Sequence, residues 1–144
     1  VATGFGLVQA LAPLGLAPAP LGRPERLATS QPLVIVTGGD GAAVSLAQLV
    51  SRRAFSGYWE YHIDQALFTS PPAPNHSGAP LFNLHGDLLG IGSLFTTDAA
   101  GTGPRSMPGN MFVPVDLLRP VLAEMQTTGS TRASRRRRSR LRFY

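Results

Sequence analysis

Two residue types are absent from the chain. It has no cysteine, which excludes a disulfide framework and any thiolate metal site and leaves no mark of a redox compartment. It has no lysine either: all 13 basic residues are arginine. Charged residues make up only 15% of the chain. No apolar run is long enough to cross a membrane. The one extended apolar stretch, Leu7–Gly22, carries Pro13, Pro18 and Pro20 and has no basic segment before it, which argues against a signal-peptide core. The chain starts with Val1 rather than methionine, and we expect it to be processed, truncated or a piece of a longer protein.

What is present points to one β-rich domain. The 144 residues suffice for a single core, and 43% of them are hydrophobic, which is a globular rather than a disordered composition. Sixteen glycines and 13 prolines favour many turns and short strands. The net charge of +5 is misleading. Seven arginines fall in the last 16 residues, which contain no acid, leaving six arginines against all eight acids in the rest. The body is slightly acidic, and a high isoelectric point is no argument that it binds nucleic acid.

Along the chain, Thr3–Leu11 reads as a strand entered through glycines, followed by a Pro-rich connection. Pro32–Thr37, continuous and β-branched, reads as a buried strand, ended by a Gly-Gly-Asp-Gly turn. Ala43–Arg53 and Phe55–Phe68 read as two more strands. The second carries Phe55, Tyr58, Trp59 and Tyr61, which suit core packing better than a ligand site. Thr69–Gly78 is a loop. Pro80–Leu84 and Asp87–Phe95 form a hairpin across His85-Gly86, for which we expect positive φ at both residues. Thr96–Gly109 reads as a long polar loop and Asn110–Val115 as a final strand. In Asp116–Gln126, Leu117, Leu118, Val121, Leu122 and Met125 make one apolar stripe of a helix. Pro120 is tolerated only in its first turn. The class is all-β, an antiparallel barrel or sandwich closed by a C-terminal helix.

Few residues carry chemistry. "GGDGAAV" after a strand imitates a dinucleotide loop, but with Gly39 and Gly41 as its first pair the third position is Val44, so the spacing fails. No cluster has metal-ligand spacing, and no cofactor is called for. Ser77, between His76 and Gly78 at the end of a long loop, is the one nucleophile candidate. The run "PNHSGAPLFNLHGDLLGI" (Pro74–Ile91) and the later "MFVPVDLL" (Met111–Leu118) resemble the C-terminal half of the chymotrypsin-fold, trypsin-like serine proteases, most closely the HtrA/Deg-like group.

That resemblance implies a second β-barrel with a remnant of a first and a C-terminal helix. It implies a partial protease domain over residues 1–128 and serine endopeptidase activity on polypeptide substrates. Ser77 would be the nucleophile, and the backbone N–H groups of Asn75 and Ser77 the oxyanion hole. Gly92, Ser93 and Leu94 would pair with the substrate backbone, and Asp64 would match the acid in the segment leading to the nucleophile. Oligomers and a bacterial cell envelope are further implications. Three departures stand out. Asn75 and Ala79 replace glycines, and Asp64 lies 13 residues before Ser77, further than the family pattern.

The family's histidine and aspartate precede the serine and belong to the first barrel. Here the matching aspartate position falls near Gly4 or before Val1, and the histidine wholly upstream. His62, His76 and His85 do not match the base. We therefore expect this chain alone to show negligible proteolysis. The alternative is a non-catalytic relative that binds extended peptides by strand addition. The Arg-rich tail, Gly129–Tyr144, reads as a disordered extension, as an arm for polyanions, or as the product of a shifted reading frame in GC-rich coding sequence.

Overall fold

The computed structural model of the chain describes residues 5–57 and 61–128. The Arg-rich tail, Tyr58 and Trp59 lie outside them. Six strands close into one antiparallel barrel: β1 (Pro32–Thr37), β2 (Ala43–Gly57), β3 (Tyr61–Ser70), β4 (Pro80–Phe82), β5 (Leu88–Ala100) and β6 (Met107–Pro114), in the spatial order β1-β2-β3-β6-β5-β4. A 3₁₀ turn, Val115–Leu117, leads into helix α1 (Arg119–Thr128). Pro120 is the second residue of α1, where its missing N–H costs nothing.

Alternation builds the interior. In β1, Leu33 and Ile35 are wholly buried while Val34 and Val36 face outward. With Leu49, Leu67, Leu81, Leu89 and Phe112 they form the barrel core, which also takes in Ala73 and Ala79 from the loop before β4. β3 and β6 bury their second faces too. Ile63, Phe68, Met111 and Val113 pack outside the barrel under Phe5, Leu94 and Leu117. Strands buried on both faces lose the inside-outside alternation of hydrophobicity, and "NMFVPV" shows this as an almost unbroken apolar run.

Several expectations are corrected. Residues 5–11 are not a strand: Val8 and Leu11 are fully exposed, and a β-prone segment without a neighbour has no ladder to join. The break expected at Ala54 does not occur, because bulges at Leu49/Ser51 and Arg53/Phe55 bend β2 and let it continue to Gly57. Half of the expected loop Thr96–Gly109 is strand. Thr96 pairs with Gly109 and Ala100 with Met107, so its polarity reflects an outward face rather than a loop. The β4–β5 connection is not a two-residue turn. Gly86 N–H donates to the Asn83 carbonyl at 3.1 Å, and Gly86 alone takes positive φ, 85°. This is a three-residue loop with glycine in the left-handed place. The Asn83 side chain accepts from the N–H groups of His85 and Asp87, both at 2.9 Å, and fixes the turn.

A candidate nucleophile turn at the barrel rim

Ser77 lies between β3 and β4 on a turn held at both ends. The N–H of Ala79 donates to the His76 carbonyl at 2.9 Å, which makes Ser77 and Gly78 the central pair. Gly78 has φ 77°, the value that a type II turn demands of its third residue and that only glycine meets without strain. β5 then clamps the turn. Gly78 N–H donates to the Gly92 carbonyl and Gly92 N–H to the Ala79 carbonyl, both at 2.8 Å. Ala79, which stands where the resemblance has glycine, turns its methyl into the barrel core and is 5% exposed. The replacement is accommodated by packing.

Asn75 also fits its slot. Its φ is 51°, in the left-handed region that asparagine enters more readily than other non-glycine residues. Among the described residues, the backbone N–H groups of Asn75 and Ser77 donate to no acceptor. The turn between β1 and β2 reaches over Asn75, and a Cβ at Gly41 would lie 3.1 Å from its Nδ2. Together these segments enclose an open cleft of about 700 Å³ lined by Val36, Thr37, Gly38, Asn75, Ser77 and Pro80, among others. Among the described residues no ionisable side chain lines it.

One supporting residue escaped the sequence reading. Asn110 on β6 is 0% exposed, and its Oδ1 accepts from the N–H of Ala73 at 2.7 Å. It ties the approach to Ser77 onto the barrel, alongside Ser70 Oγ, which donates to the Pro108 carbonyl at 2.8 Å. The available signal was a lone amide in an apolar strand, since a buried polar side chain must find a partner.

The structure thus brings Asn75, Ser77 and Gly92 together. Gly92 serves the turn rather than offering a free rung, because both its backbone groups are engaged there. Ser93 sits in a bulge between Gly92 and Leu94, and Leu94 packs on the outer cluster. Asp64 is not brought to the turn. It lies six positions before Ser70 on β3, about 20 Å along the strand, and lines a different recess with Pro24, Arg52 and Leu117. Its partner is His62, whose Nε2 is 3.0 Å from Asp64 Oδ1. Among the described residues Ser77 Oγ has no hydrogen-bond partner, so none of His62, His76 and His85 bonds to it.

The sequence profile of a trypsin-like peptidase domain matches residues 1–91, from the N-terminal segment through the serine turn into β5. The chain belongs to the trypsin-like peptidase domain family. Among solved structures, this trypsin-like chain is similar to the HtrA-type protease AlgW with a tripeptide (TM-score 0.63, 18% identity, 84% of this chain and 40% of that chain covered). It is similar also to AlgW with a decapeptide (TM-score 0.58, 20% identity, 77% and 34% covered). A third match is the MamO protease domain from Magnetospirillum magneticum in its apo form (TM-score 0.48, 21% identity, 65% and 48% covered). The trypsin-like chain therefore spans less than half the length of each of these proteins. No curated protein matches it.

Proposed function

We propose that this chain is the nucleophile-bearing barrel of a serine endopeptidase, with Ser77 attacking the peptide carbonyl and the histidine and aspartate supplied by polypeptide outside residues 1–144. The observation that carries this reading is the conjunction at one turn. An exposed serine is held rigidly by β5, and among the described residues the N–H groups of Asn75 and Ser77, two residues apart, are left without acceptors. Such donors stabilise the oxyanion of a tetrahedral intermediate by about 2.7–4 kcal/mol each. The acyl-enzyme would form on Ser77 Oγ as the serine proton passes to the incoming histidine.

The base is the part that the described residues do not hold. Losing assisted proton transfer costs about 10²–10⁴-fold in rate, so the chain by itself should cleave casein no faster than its Ser77→Ala variant. Leu7, Val8, Leu11, Leu14 and Leu16, apolar and exposed, suit a strand that would pair with the polypeptide supplying that base. The AlgW structures were solved with a tripeptide and a decapeptide, which favours an extended peptide as the ligand here.

The test is to produce the chain together with the coding sequence upstream of it and to assay casein. We expect cleavage that Ser77→Ala abolishes. Cleavage unaffected by Ser77→Ala would overturn the assignment. Peptide binding without cleavage in the longer protein would favour the second reading, a non-catalytic module that takes extended peptides by strand addition. That reading draws on the same lack of a hydrogen-bonded base at Ser77.

A further inference from the structure

The far end of the β2–β3 hairpin carries three polar side chains that the Ser77 site does not use. Ser56 and His62 are direct cross-strand partners, which places their side chains on one face within reach of each other. Asp64 follows His62 by two residues on β3, so it shares that face. The contacts form a continuous relay. Ser56 Oγ is 2.8 Å from His62 Nδ1, and His62 Nε2 is 3.0 Å from Asp64 Oδ1.

The donors in this relay can be assigned. An ionised carboxylate only accepts, so Nε2 carries the hydrogen and donates to Asp64. In the neutral ring the other nitrogen, Nδ1, is then an acceptor, and the Ser56 hydroxyl donates to it. Serine, base and orienter thus stand in the order that activates a hydroxyl, with the imidazole used through the opposite pair of nitrogens from the familiar serine-protease arrangement.

We propose that Ser56 is a second nucleophilic serine, with His62 as its general base and Asp64 as the group that holds the ring, acting on small activated esters. The hairpin surface decides the substrate class. His62 and Asp64 side chains are 54% and 89% exposed, and the described residues beside them form a recess of about 240 Å³ on the Asp64 side but no long wall that would align an extended peptide. A small acyl donor needs none. In the step, the Ser56 Oγ–acyl carbon bond forms and the bond from that carbon to the leaving oxygen breaks. The serine proton passes to His62 Nδ1 and then to the departing alkoxide. Water completes the cycle, giving up a proton to His62 as it releases the carboxylic acid and restores the Ser56 hydroxyl.

The test uses a fluorophosphonate on the full 144-residue chain carrying Ser77→Ala, so that the other candidate serine has no hydroxyl. Attack by Ser56 forms an O–P bond and expels fluoride, and peptide mass spectrometry locates the adduct. We expect Ser56 to be labelled at least tenfold faster than exposed Ser30. His62→Ala should bring the rate down to that of Ser30, and Asp64→Asn should lower it several-fold. Turnover of p-nitrophenyl acetate should follow the same order. All three groups are at the surface, so circular dichroism should show the variants folded. Labelling of Ser56 no faster than Ser30, or a rate untouched by His62→Ala, overturns the proposal.

Discussion

A methyl group added at Gly92 would sit 1.9 Å from the His76 carbonyl oxygen, which is backbone and cannot swing aside. That carbonyl closes the Ser77 turn by accepting from Ala79, so the strain falls on the nucleophile. Gly92→Ala should destabilise the barrel by about 1–3 kcal/mol, the range for overpacking, and urea unfolding would read it. In a longer, active protein it should also lower kcat. Asn75 is the contrasting case. Its φ of 51° is one that a β-branched residue would adopt only under strain, and its side chain already lies against the β1–β2 turn. The two positions resist substitution for different reasons, one for space and one for backbone conformation.

At the scale of elements, the 3₁₀ turn before α1 carries a titratable group with a measurable signature. Burial pushes the Asp116 carboxyl above the ordinary aspartate range, the nearby Glu25 carboxyl adds to the rise, and Arg119 opposes it. A carboxyl raised in the folded state holds its proton more tightly there than in the unfolded chain. The stability attached to that proton is fully present below the ordinary aspartate pKa and is lost as pH rises through the raised value. Asp116→Asn should therefore gain stability relative to the parent protein on going from pH 3.5 to pH 7, read as the difference in urea midpoints. The ion pair with Arg119, 3.5 Å away, forms only with the ionised carboxyl and is already included in the net rise, so what the comparison cancels is any loss of packing common to both pH values. A gain that is equal at both pH values would remove Asp116 as the source.

For the whole molecule, the described residues 5–27 divide into two parts. Residues 20–27 are bound to the barrel. Gly22 N–H donates to the Leu88 carbonyl at 2.7 Å, and the Arg52 guanidinium donates to the carbonyls of Pro24 at 2.7 Å and Leu27 at 2.8 Å. Arg119 donates to the Leu21 carbonyl at 2.9 Å. Residues 5–19 are held chiefly by Phe5 on the outer cluster. Deleting residues 1–19 should cost about 1–2 kcal/mol, the worth of one apolar side chain. Deleting residues 1–27 should cost about 3 kcal/mol or more beyond that, since it strips the charged hydrogen bonds of Arg52. Equal unfolding midpoints for the two truncations would show that this latch contributes nothing.

The sequence by itself determined the parts whose cause is local. Alternating and continuous apolar runs specified the strands, Ser-Gly specified a turn needing positive φ after the serine, and Asn75 stood ready for a left-handed slot. The helix stripe with Pro120 near its start was legible for the same reason. Only the tertiary structure decided the rest, because each item depends on which distant segments meet. Gly92 must be glycine because β5 runs against His76. Asn110 matters because β6 passes beneath Ala73. Asp64 left the Ser77 site because β3 carries it to the other end of the barrel, where a cross-strand register set it in line with His62 and Ser56. Residues 5–11 had the composition of a strand, and no neighbouring backbone among the described residues to make them one.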